Sequence, residues 1–309
     1  MTTTDISSHI LTIDIEEHFQ ASRFDSPIRR RHWASFQSRV HASVERILEL
    51  LARHSTKATF FALGWLAEQH PSLIRAVATA GHEVACLGYG HELVAAQTPD
   101  LFRNDIRRAK LLLEDLIGQP VWGFRAPSFS ITPDIPWALP IVAEAGFLYD
   151  SSMLRIGLDS GDCRQEGERI HRLHLEYHDS LWEIPPSIFN MMGFRVPVGG
   201  GGYLRALSYP VLHALFSQIE GLGKPIVLYM RAWELDVDQP RMSGTLLAEF
   251  RHYLNLDKME SRLHHLLTDF HFGPVRDAVG PIRDRILPAS TVGDASPTTS
   301  SSRALPAAV

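Results

Sequence analysis

Acids, two histidines and two arginines follow short apolar runs along this chain, and together they could do chemistry that none of them does alone. The run at 10–15 delivers Asp14 and then Glu16, with Glu17 and His18 immediately after. His91 follows Gly88-Tyr89-Gly90, and Arg125 opens Arg125-Ala126-Pro127. Trp182 stands beside Glu183, and Arg231, Trp233 and Glu234 close the series. Carboxylates and imidazoles move protons near neutral pH or ligate divalent cations. Arginine stays protonated, so it serves as a fixed cation for orienting a carboxylate or stabilising an oxyanion. Singly, Asp14 and Glu16 also read as solvated rim acids, His91 as a hydrogen-bonding group and Arg125 as a structural ion-pair partner. A functional reading therefore depends on whether the fold brings them together.

The elements that would do so alternate. Apolar runs predict strands at 10–15, 57–63, 82–88, 121–126, 147–150, about 181–184 and 225–230. Val40, Val44, Ile47, Leu48 and Leu51 recur at helical spacing. Pro71 opens a helix that Gly81 stops, and Thr98-Pro99-Asp100 caps one that runs to Gly118. Further helices are expected at 136–145, 209–220 and 256–270. Strand, helix, strand, helix argues for parallel strands with crossover helices, an α/β fold that can close as a barrel. Sites in such folds gather at the carboxyl ends of the strands, where the residues above fall. The 199–202 glycines read as a flexible loop whose backbone approaches a neighbour closely; a phosphate cradle would need a lysine that is not there. Cys86 should face away from position 87, into the core.

Composition sets the outer limits. The chain has 309 residues, 45% hydrophobic and 21% charged, an ordinary globular balance. We expect a single domain over 1–287 and a disordered tail rich in Ser, Thr, Ala and Pro over 288–309. A net charge of -5 leaves no basic footprint for nucleic acid. The sequence carries no recognisable leader and no apolar run of the ~18–20 residues a membrane helix needs. Cys86 and Cys163 alone make no disulfide framework. The expectation is a cytoplasmic protein.

Six stretches, in this order and spacing, resemble the polysaccharide deacetylase (NodB-homology) family, closest to its branch associated with exosortase-type exopolysaccharide loci. They are Leu11-Thr12-Ile13-Asp14-Ile15-Glu16-Glu17-His18-Phe19, Ala58-Thr59-Phe60-Phe61-Ala62-Leu63-Gly64-Trp65 and the segment from Gly81 through Cys86-Leu87-Gly88-Tyr89-Gly90-His91. Gly123-Phe124-Arg125-Ala126-Pro127-Ser128-Phe129-Ser130, Pro197-Val198-Gly199-Gly200-Gly201-Gly202-Tyr203 and Trp233-Glu234-Leu235-Asp236 complete the set. The resemblance covers about residues 10–272. It implies a distorted (β/α) barrel that hydrolyses N-acetyl groups on a polysaccharide or oligosaccharide with a divalent metal, zinc or cobalt. Asp14 then matches the general base, Arg125 the residue that orients it, and Glu16 and His91 metal-site positions. Pro127, Trp182, Tyr203 and Trp233 are the residues expected to meet the sugar.

Two positions depart from that pattern. The family's His-x-x-x-His pair falls on 87 and 91, and residue 87 is Leu. The family's late histidine, followed by proline, falls on Arg231-Ala232. Leu87 has no lone pair for a metal, and Arg231 cannot cycle as an acid–base group. His18 turning inward, or Asp14 and Glu16 binding together, would each supply a substitute ligand. Two function classes follow: a metal-dependent N-deacetylase, with a metal-free amidase run by Asp14 and Arg231 as its variant, and a catalytically inactive relative that binds glycan or a partner.

Overall fold

The computed structural model describes residues 7–21, 24, 30–154, 169–175, 181–191 and 194–286. Cys163 and the expected 288–309 tail lie outside them. Strands β1 His9–Ile15, β2 Thr59–Ala62, β3 Glu83–Cys86, β4 Gly123–Phe124, β5 Tyr149–Asp150, β6 His171–Leu173, β7 Leu181–Glu183 and β10 Val227–Arg231 form one sheet in the order β10-β1-β2-β3-β4-β5-β7-β6. All pairs in that order are parallel except β6–β7. β11 Phe272–Gly273 pairs with the start of β1, and β8 Phe189–Met191 with β9 Phe194–Val196 makes a separate hairpin. All seven residues of β1 are buried, as expected for a central parallel strand covered on both faces.

The sheet curls into a half-barrel surrounded by helices. β6 and β10, at the ends of the order, do not pair with each other. Instead the outer edge of β10 is taken by irregular backbone: Ser187 N donates to Val227 O at 2.9 Å, and Tyr229 N to Gly199 O at 2.7 Å. This corrects the 199–202 expectation in part. Gly199 and Gly200 lie against β10, and Gly201 starts helix Gly201–Ala206 rather than a loop. The close approach itself is there, because a Cβ on Gly201 would overlap the Glu234 carboxylate.

The crossover helices follow the sequence pattern. Helix α1 Val40–Arg53 buries Val40, Val44, Ile47 and Leu51. Helix α2 Gly64–Gln69 had no periodic signal over six residues, and α3 Pro71–Thr79 follows it. In α4 Pro99–Ile117 the Thr98 hydroxyl accepts Leu101 N at 3.3 Å, and Gly118 ends the helix at φ 66°. Then come α5 Ala138–Glu144, α6 Gly201–Ala206, α7 Tyr209–Gly221, α8 Leu246–Tyr253 and α9 Met259–Asp269. One hydrophobic cluster runs from Ile10 to Ile282. Among the described residues no helix is long and apolar enough to cross a membrane.

Candidate functional site

The parity of the strands sorts the chemistry-bearing side chains. Thr12 and Asp14 of β1 share the concave face with Phe61 of β2, and Asp14 is in register with Arg231 of β10. Arg125 follows β4 and crosses the interior. Its Nη1 donates to Asp14 Oδ1 at 2.7 Å, and its Nη2 to Thr12 Oγ1 at 3.0 Å and Ser151 Oγ at 2.8 Å. Nε donates to the Ser151 carbonyl at 3.2 Å, and the guanidinium carbon lies 4.1 Å from the centre of the Phe61 ring. Arg125 is fully buried, so a guanidinium there is tolerable only because its donors are used. Burial pushes the Asp14 carboxyl above the usual range, and Arg125 opposes that shift without cancelling it.

The second centre is Glu16. Its Oε2 lies 2.9 Å from His91 Nε2, its Oε1 accepts Trp233 Nε1–H at 3.1 Å, and Arg231 Nε stands 2.7 Å from the same oxygen. Burial is the largest influence on Glu16 and acts upward, but Arg231, His91 and Trp233 together outweigh it, and the carboxyl is held below its usual range. Glu16 accepts from His91, so Nε2 of that ring carries its proton. His91 sits at φ 52°, in the left-handed region, with Nδ1 buried and without a partner among the described residues. Glu16 and His91 are almost wholly buried, whereas the Arg231 side chain keeps 19% of its surface.

Sequence reasoning missed the support beneath Arg231. The backbone N of Arg231 donates to Glu234 Oε2 at 2.9 Å, and Glu234 Oε1 accepts Arg205 Nε at 3.0 Å. Arg205 Nη1 in turn donates to the carbonyls of His252, at 2.8 Å, and Leu254, at 2.9 Å, closing the end of α8. Trp233 stacks on His252 of α8 at 4.0 Å between ring centres, 15° from parallel. No motif announces Arg205; the only signal was an arginine beside the 199–202 glycines.

The remaining expected residues fall as follows. Leu87 is buried and belongs to the core cluster. His18 does not join Glu16 and His91: the chain turns into a short 3-10 segment after Glu17, which leaves the His18 ring edge-on to Phe19 and its Nδ1 3.7 Å from Glu17. Pro127 is buried at the start of a turn in which Ser128 and Phe129 take φ of 58° and 55°. Tyr203 is exposed on α6. Trp182 pairs in register with Tyr149, two residues before Ser151, and packs against the core a layer below the strand-end cluster. Cys86 faces the helices, fully buried, its thiol pushed up to about 12 by burial.

The zinc or cobalt that the resemblance implies does not fit these residues. Position 87 offers no ligand, both Glu16 oxygens are engaged, and a guanidinium already supplies the positive charge beside Glu16. Among the described residues, no three or more His, Cys, Asp or Glu side chains are grouped to hold a metal ion.

Comparison with known proteins agrees with the fold. Residues 26–148 match the family model described as polysaccharide deacetylase, and residues 151–280 match a domain of unknown function, DUF3473. The chain is 34% identical over 94 residues to a peptidoglycan-N-acetylglucosamine deacetylase of Bacillus cereus, covering 30% of this chain and 34% of that one. It is 31% identical over 114 residues to a peptidoglycan deacetylase of Helicobacter pylori, covering 36% of this chain and 37% of that one. The matched region thus spans about a third of these curated relatives. A candidate polysaccharide deacetylase structure from Mycobacterium smegmatis superposes with a TM-score of 0.59 at 21% identity, over 93% of this chain and 94% of that one.

Proposed function

This chain belongs to the polysaccharide deacetylase family, and from that premise we propose that it recognises N-acetylated glycans of the exopolysaccharide or peptidoglycan kind without hydrolysing them by a metal route. The observation that carries the proposal is the Arg231–Glu16 ion pair at 2.7 Å. Hydrolysis of an acetamide needs a cation or donor to polarise the carbonyl, a base for the attacking water and an acid for the departing amine. Asp14, fixed by Arg125, still offers a base. Arg231 offers a fixed charge but no transferable proton. Leu87 closes the ligand position that a divalent ion would use.

The test is acetate release from N-acetylglucosamine oligomers with zinc or cobalt, beside calorimetric titration of metal into chelator-stripped protein. The natural chain should take up no metal and release no acetate, while Leu87→His with Arg231→His should bind about one metal ion per chain. Tight metal uptake by the natural chain would refute the proposal. One observation favours a second reading, a slow metal-free amidase: Asp14 and Arg231 are in register on adjacent strands. That reading requires acetate release that persists in chelator and vanishes in Asp14→Asn.

A further inference from the structure

Helix α8, Leu246–Tyr253, turns its large apolar side chains away from the protein. Leu246, Leu247 and Phe250 are 87%, 58% and 62% exposed, while His252 is buried and Ala248 half-buried. At about 100° per residue, Leu246, Phe250 and Leu247 form one stripe about 100° wide, and Ala248 and His252 lie opposite it. The inner face holds the helix in place. His252 stacks on Trp233, its Nε2 lies 2.7 Å from Gln239 Oε1, and the Thr245 hydroxyl caps the first turn. The stripe is therefore not needed for packing. No other helix among the described residues exposes three large apolar side chains, and a patch of this kind marks an interaction surface.

Arginines border the stripe on both edges. Arg251 follows Leu247 around the axis. Tyr253 adjoins Leu246 on the other edge, and the Arg241 guanidinium carbon stands 4.8 Å from the centre of its ring. The Tyr253 hydroxyl donates to Pro240 O at 3.3 Å, which ties down the backbone that carries Arg241. Both arginines are exposed, and neither is in an ion pair among the described residues. Glu249, the one acid of the helix, lies outside the stripe and accepts Gly244 N at 3.0 Å.

We propose that α8 docks this protein on an anionic membrane surface, with Leu246, Leu247 and Phe250 entering the acyl boundary and Arg241 and Arg251 at the level of the phosphates. The proposal is independent of the glycan reading above. A bilayer surface offers an apolar layer beneath a negative one, which matches an apolar stripe between two cations. A second copy of this chain matches it poorly, because self-packing of the stripe sets cations against cations with no acid between them. The net charge of -5 does not prevent docking, since charges beyond about 8 Å are screened at physiological ionic strength. Trp233, which donates to Glu16, stacks on the inner face of the same helix. Docking therefore holds the strand-end cluster about one helix diameter, roughly 10–12 Å, from the lipid.

The experiment is flotation of the full chain with vesicles of phosphatidylcholine and phosphatidylserine, beside vesicles of phosphatidylcholine alone. The natural protein should prefer the anionic vesicles by about tenfold or more, and raised salt should remove the preference. Leu246→Ser with Phe250→Ser should abolish flotation with an unchanged melting temperature, since both side chains are exposed. Arg241→Gln with Arg251→Gln should bring binding of the two vesicle types to near equality. Failure of the natural chain to float with anionic vesicles overturns the proposal. Flotation that survives the serine variant overturns the assignment to α8. Self-association of the natural chain that the serine variant removes, in place of flotation, overturns the membrane in favour of a second copy.

Discussion

At the scale of single residues, the site consists of buried charges that depend on each other. Arg125 cannot be left alone in the interior, and Asp14 is its charge partner. Asp14→Asn should therefore cost about 3–5 kcal/mol of folding stability, the usual result of removing one member of a buried ion pair. Urea denaturation checks this; a loss under about 1 kcal/mol would mean that Thr12 and Ser151 satisfy Arg125 unaided. These residues were legible for a simple reason: Asp14, Glu16, His91 and Arg125 each close an apolar run, and parallel strands bring their ends together. Adjacency in sequence misled at His18, since one 3-10 turn after Glu17 is enough to send it elsewhere. Arg205 was invisible because most of its partners are carbonyls some 46 to 49 positions away.

At the scale of elements, β5 and β7 set two acids side by side. Asp150 and Glu183 are register partners, both fully buried, and both carboxyls are raised chiefly by burial. Asp150 accepts Ser152 N at 2.9 Å and Ser152 Oγ at 2.6 Å, which leaves Glu183 as the member that keeps the proton. The sign follows. The unfolded chain releases this proton near 4.5, the folded chain only at a higher pH, so the folded state binds more protons between those values. Stability from this pair is thus fully present below about pH 4.5 and is lost as pH rises towards the raised value. Glu183→Gln keeps a donor but nothing to titrate, so its melting temperature should fall less than the natural protein's between about pH 5 and 8. Parallel melting curves for the two would contradict a proton held on Glu183 in the folded state. Sequence reading found the β7 strand and named Trp182 and Glu183 together at its end, but nothing local says which strand face meets which layer, so the pairing of Glu183 with Asp150 was not legible.

At the scale of the molecule, alternation of strands and helices was readable from 10 to 150, where the long helices α1 and α4 and the apolar run of β1 show their periods and punctuate the shorter elements between them. The second half was less so. β6, β8, β9 and β11 have two or three residues each, too few for a period, and their places are fixed by partners far along the chain. β1 is the extreme case: Ile10 pairs with Val227 and also with Gly273, so the first strand is completed by some of the last residues. A chain ended at residue 226 should therefore lack cooperative unfolding, even though it contains β1 to β5 and the helices between them. A sharp thermal transition in that fragment would place the stable unit before residue 227, without β10 and β11.

The same pairing carries a consequence for biosynthesis. At roughly 5–20 residues per second, a ribosome needs on the order of 10–45 s to get from Ile10 to Val227. Throughout that interval the nascent chain holds His-Ile-Leu-Thr-Ile-Asp-Ile with one edge bare, and such a segment pairs readily with its copies on neighbouring nascent chains. The earliest described strand to emerge is thus among the last to be secured, so the bare edge of β1 is the segment of the nascent chain that stays open longest.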